Sequence, residues 1–145
     1  MARSTTLTQG AVQGDLLKEF MSPGYNFVEG KLVNPVAVAK TGWNPIGQPV
    51  KASGANFVFV QDTDEANAIG IVLHDKPINL AASATSADRY LILRRGPALI
   101  DKEQIAGTDI NGDALTKATI VTALAALSPP IIGLSEPATS KTQTT

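Results

Sequence analysis

The chain has 145 residues, a formal net charge of −1, 17% charged residues and no cysteine. That length suits one domain with room for a sizeable core, and the missing cysteines exclude disulfides, thiolate nucleophiles and thiolate-held zinc. The basic residues are scattered from Arg3 to Lys141 without forming a stripe, which argues against direct nucleic-acid binding, where phosphate contacts supply most of the affinity.

Residues 1–23 are rich in Thr, Gln, Gly and Ser, with apolar residues spaced singly. This predicts a flexible N-terminal arm. "GDLLKEF" has room for a turn or two of helix before Pro23-Gly24 closes it. In "YNFVEGKLVNP" the pair Glu29-Gly30 is a turn signal, and "PVAVAK" reads as a strand. "TGWNPIGQPV" is broken by two prolines and reads as loop with one edge strand. The clearest strand is "NFVFVQ" (56–61), rich in β-branched and aromatic residues. After the acidic turn "DTDEAN", "AIGIVLHD" (68–75) reads as a buried strand in which Gly70 marks a bulge or a close backbone approach.

Residues 76–88 read as loop. "RYLILRR" (89–95) then predicts a strand with Tyr90, Ile92 and Arg94 on one face and Arg89, Leu91, Leu93 and Arg95 on the other. Gly96-Pro97 ends it, and "ALI" resumes as a short strand. "NGDALTKATIVTALAAL" predicts a helix near 112–127, with Asn111 or Asp113 as N-cap. Leu115, Ala118, Thr119, Thr122 and Ala125 or Ala126 fall near one face of it. Pro129-Pro130 stops the helix, "IIGL" suits a last strand, and residues 135–145 read as a polar disordered tail. The sum is a mainly β domain over 24–134 with one late helix, an α+β fold.

The chemistry-bearing residues form no catalytic set. Arg94-Arg95 suits an oxyanion, but neighbours in a strand point to opposite faces and converge on one anion only at a bend. His74 is the sole histidine, and no serine beside it sits in a nucleophile elbow. "DINGD" (109–113) begins like a calcium loop, yet Ala114 and Ile120 stand where such a loop needs Gly and a bidentate Glu. "DTDE" reads as a solvated turn. These readings predict a protein that is not an enzyme and uses neither metal nor cofactor. No apolar run approaches the roughly 20 residues of a membrane span, and the N-terminus lacks the apolar stretch of a signal peptide. No membrane partner is expected.

Taken together, "NPIGQPVK", "AIGIVLHD" with its central glycine, "YLILRRGPALI" as a strand-Gly-strand unit, the late Ala- and Leu-rich helix and "IIGL" resemble one family. It is the lambda-type family of head decoration (head-stabilising) proteins of tailed bacteriophages, and the resemblance covers roughly residues 24–134. It implies a small β-tulip domain that binds the outside of the expanded capsid as a homotrimer and stiffens it against the packaged DNA. The implied partner is the major capsid protein, and the implied location is the virion surface after synthesis in the host cytoplasm. The implied capsid-binding arm contains Ser4, Thr5, Thr6, Leu7, Thr8 and Val12, with Trp43 and Phe59 as trimer or capsid contacts if exposed. The alternative is another non-enzymatic phage structural protein, a tail-tube or fibre-associated β protein.

Overall fold

The structure, a computed structural model, describes residues 13–135. The described residues are mainly β, with ten strands and one helix longer than a single turn. In chain order, the helical turn α1 (Gln13–Leu16) leads into β1 (Leu17–Phe20), and the turn α2 (Pro23–Asn26) into β2 (Phe27–Val33). Then come β3 (Lys40–Trp43), β4 (Pro49–Ser53), β5 (Asn56–Phe59), β6 (Gly70–Val72), β7 (Ile78–Leu80) and β8 (Thr85–Leu93). The last elements are β9 (Ala98–Asp101), helix α3 (Lys117–Ala125) and β10 (Ile131–Leu134).

Five strands close into a barrel in the order β2-β5-β4-β6-β8. The pairs are antiparallel except β2 with β5, which meet in parallel at Leu32↔Phe57 and Val33↔Val58. Each strand sends one fully buried side chain into a common cluster: Leu32, Val50, Phe59, Val72 and Ile92. Ile78 and Leu80 of the β3–β7 ribbon and Ile110 complete it. Because successive strand residues face opposite ways, Ile71 and Leu93 point outward from the same strands. They join a second core with Ala98, Ile100 and Ile131 of the three-stranded sheet β1-β9-β10 and Ile120 and Leu124 of α3. Strand β8 therefore carries both cores, one on each face.

Two glycines show how tightly this is built. A Cβ on Gly70 would meet the Leu93 carbonyl at 2.8 Å, so the close backbone approach expected there is present. Gly30 lies inside β2 rather than in a turn, because the Phe57 ring occupies the space its side chain would take, with 2.5 Å to the nearest ring carbon.

Several sequence expectations need correction. The stretch 76–88 holds β7 and the start of β8. "PVAVAK" is mostly not a strand: buried Asn34 donates to the carbonyls of Val38 and Ala81 and accepts from the Val36 N–H, which folds the segment into a loop. Helix α3 starts at Lys117, later than expected, and neither Asn111 nor Asp113 caps it. It buries Ile120 and Leu124, while Ala118 and Thr122 face solvent. Residues 13–23 of the expected N-terminal arm hold α1, β1 and the start of α2. Leu16 is fully buried in the second core, and β1 pairs antiparallel with β9 from Leu17↔Ile100 to Phe20↔Ala98. The arm residues Ser4, Thr5, Thr6, Leu7, Thr8 and Val12, and the tail from residue 136, lie outside the described residues.

Candidate functional site

The three-stranded sheet has two unlike faces. Its inner face, with Ala98, Ile100 and Ile131, is sealed in the second core. Across the sheet, Glu19 pairs with Leu99 and Leu99 with Ile132, and this row alternates with the buried one. Around it stand Met21 and Leu134, at 65% and 50% exposure, while Phe20, paired with Ala98 on the inner row and packed on Phe27, shows its edge at 42%. A groove of about 340 Å³ runs between Phe20, Met21, Pro97, Leu99 and Ile132. A second depression of about 220 Å³ continues past Glu19 and Leu99 to Leu134. An exposed face of this kind, apolar side chains with Glu19 among them and Lys18 close by, is what partner interfaces present.

Asn26 fixes where this sheet begins and ends. Its buried side chain accepts from the N–H groups of Met21 and Ser22, both at 2.9 Å. It donates to the carbonyls of Arg95 and Pro97 at 2.9 and 3.1 Å. The Asn26 carbonyl in turn accepts from the N–H groups of Arg94 and Arg95. One side chain thus holds the segment after β1 against the bend between β8 and β9, satisfying four main-chain groups.

That bend changes the reading of the arginine pair. Strand β8 ends at Leu93, so Arg94 and Arg95 have left the alternating geometry that would separate them. Both line one pocket of about 360 Å³, together with Tyr25, Leu127, Ser128 and Pro129. The Arg95 guanidinium lies over the Tyr25 ring, 5.3 Å from its centre, in cation–π range.

The other candidate groups have structural partners. Phe59 is 1% exposed and packs edge-on against Trp43 at 5.1 Å. It is a barrel core residue and not a surface contact. Trp43 remains half-buried on the β3–β7 ribbon. His74 sits edge-on to Tyr90 at 4.7 Å. Burial, aided by Lys76, holds its pKa below the usual imidazole value against the opposing charge of Asp75. The Asp75 carboxylate accepts from the Asn44 amide. In "DINGD", buried Asp109 accepts from the N–H groups of Asn111 and Asp113 through one oxygen and from that of Asp62 through the other. Its acceptor capacity is turned on its own loops.

Glu65, in the acidic turn, is buried, and its carboxylate accepts from the N–H of Thr116 at 3.0 Å. Thr116 is the residue before α3, so the helix is capped from 51 positions away in sequence. This hydrogen bond, with further backbone donors, holds the Glu65 carboxyl below its ordinary 4.5. A depressed acid contributes stability that is present above pH 4.5 and lost as the pH falls through the lowered value.

Among the described residues no group of three or more His, Asp or Glu is placed to hold a metal ion, and no helix is long and apolar enough to cross a membrane. The apolar sheet face was missed at the sequence level. Its signal was present in the short apolar pieces at the two ends of the domain, "EFM" and "IIGL". Comparison with protein-family models, with curated proteins and with solved structures returned no match. The likeness to phage decoration proteins therefore rests on the order and texture of the sequence elements.

Proposed function

We propose that this protein is a structural component of a tailed-phage head, a decoration protein that docks as a trimer on the outside of the expanded capsid and stabilises it. The observation that carries this reading is the β1-β9-β10 sheet. Its outer face exposes the apolar side chains of Met21 and Leu134 beside Leu99 and Ile132, and its edge strand β1 follows the turn α1 at the start of the described residues. A sheet edge supplies main-chain hydrogen bonds to an added strand, and the apolar face supplies the area that makes such an addition stable. Three copies joined on one local three-fold axis would make the later contacts effectively intramolecular. The role is mechanical and involves no turnover.

The test is co-sedimentation of the purified protein with unexpanded and expanded heads of the phage that encodes it. Binding to expanded heads alone is the expected result. A variant lacking residues 2–12, which keeps Leu16 and β1 in place, should unfold at the same temperature as the full chain and lose head binding. Binding to neither form of head, with density on the tail in particle images, would overturn the decoration reading in favour of a tail role.

A further inference from the structure

The arginine pocket at the β8–β9 bend is not absorbed by the apolar docking face. Two adjacent guanidinium groups repel each other and are normally spaced, paired or fully solvated. Here Arg94 is half-buried and Arg95 exposed, both line the same concavity, and neither forms an ion pair among the described residues. Tyr25 and Ser128 add a phenol and a hydroxyl to the lining, neither of them in a hydrogen bond among the described residues. The backbone beneath is fixed: both arginine N–H groups are held by the Asn26 carbonyl, and the Gly96 N–H by Pro129. The cations therefore stand on a rigid platform, and Arg95 is oriented further by the Tyr25 ring. Such preorganisation reduces the ordering cost of binding.

The charge of the occupant follows from the surroundings. Helix α3 ends at Ala125 and runs straight into Leu127, Ser128 and Pro129 on the pocket wall. The carbonyl end of a helix carries partial negative charge, which opposes a phosphate dianion more than a single carboxylate. A planar guanidinium also matches a carboxylate in two-point geometry. Neighbouring stretches of chain line the two cavities, Arg95 and Pro129 the pocket and Pro97 and Pro130 the apolar groove. An occupant of the groove with an acidic side chain at one end would reach both.

We propose that Arg94 and Arg95, with Tyr25 and Ser128, form a carboxylate-binding site that receives an Asp or Glu side chain of the protein partner docked on the β1-β9-β10 face. Only the identity of that partner rests on the docking reading; the site itself is testable without any phage particle.

The experiment is an NMR titration of the ¹⁵N-labelled full chain with N-acetyl-aspartyl methylamide, and separately with inorganic phosphate at matched ionic strength. The exposed Arg89 of β8 serves as the internal reference. The expected result is saturable shifts of the Arg94, Arg95 and Tyr25 signals, with a Kd of roughly 1–10 mM and little change at Arg89. The R94Q/R95Q variant, which keeps both backbone N–H groups, should bind about tenfold more weakly at an unchanged melting temperature. Shifts that do not saturate, that match those of Arg89, or that persist in the double variant would overturn the site and leave the arginines as structural cations at the end of α3. Saturation by phosphate with no response to the carboxylate would overturn the ligand class.

Discussion

In the barrel, β2, β5, β4, β6 and β8 close on themselves and enclose a cluster drawn from every strand, whereas β1, β9 and β10 form an open sheet with an edge at each side. Both regions use short apolar strands. Closure gives every barrel edge a partner and fills the interior with the chain's own side chains. The small sheet has its inner face filled by the second core and its outer face left to Met21, Leu99, Ile132 and Leu134. The barrel is thus the part that holds the fold, and the sheet the part that has surface to offer. A residue's value in each follows from that division.

The strongest test of this division is Phe59→Ala. It removes the largest side chain of the barrel interior and should cost about 4 kcal/mol, read from urea unfolding, because the closed barrel relaxes little around the cavity. A loss below about 1 kcal/mol would mean that the barrel interior is not the dominant core. Next comes Asn26→Ala, which acts where the two regions meet. It leaves the N–H groups of Met21 and Ser22 and the carbonyls of Arg95 and Pro97 without their present partner. The expected cost is about 3 kcal/mol, with faster amide hydrogen exchange in β1 and β9 than in β5. Equal acceleration in both regions would show that the sheet does not open separately from the barrel. The smallest effect on folding is expected from M21S/L134S on the outer face, within about 0.5 kcal/mol of the parent. The same variant should lose most of its binding to expanded heads. A large drop in stability would place these side chains in the chain's own core, and full head binding would remove the face from the interface.

The parts of this architecture visible in the sequence are those encoded by local pattern. "NFVFV", "AIGIV", "RYLIL" and "IIGL" announce strands because β-branched and aromatic residues favour the pleated backbone, and each holds one. Gly70 announced a close approach, since a glycine within an apolar strand usually makes room for something. The late helix was visible as a stretch of helix-forming residues, but its packed face was not. Nearly every position is apolar or small, so periodicity has nothing to separate.

What the tertiary structure alone decided depends on partners distant in the chain. The start of α3 is set by Glu65, whose carboxylate reaches the Thr116 N–H across 51 positions. The loop at 34–38 follows from Asn34 reaching Ala81, which overrides the strand propensity of "PVAVAK". Gly30 is a turn residue by local rule and a strand residue here, because the ring of Phe57 from the neighbouring strand occupies its side-chain space. The arginine pair makes the same point for function. Alternation along a strand would hold Arg94 and Arg95 apart, and they share one pocket because β8 ends one residue before them. Local sequence specifies which backbone is easy to form; which groups meet is settled by closure of the barrel and by the packing of the open sheet against it.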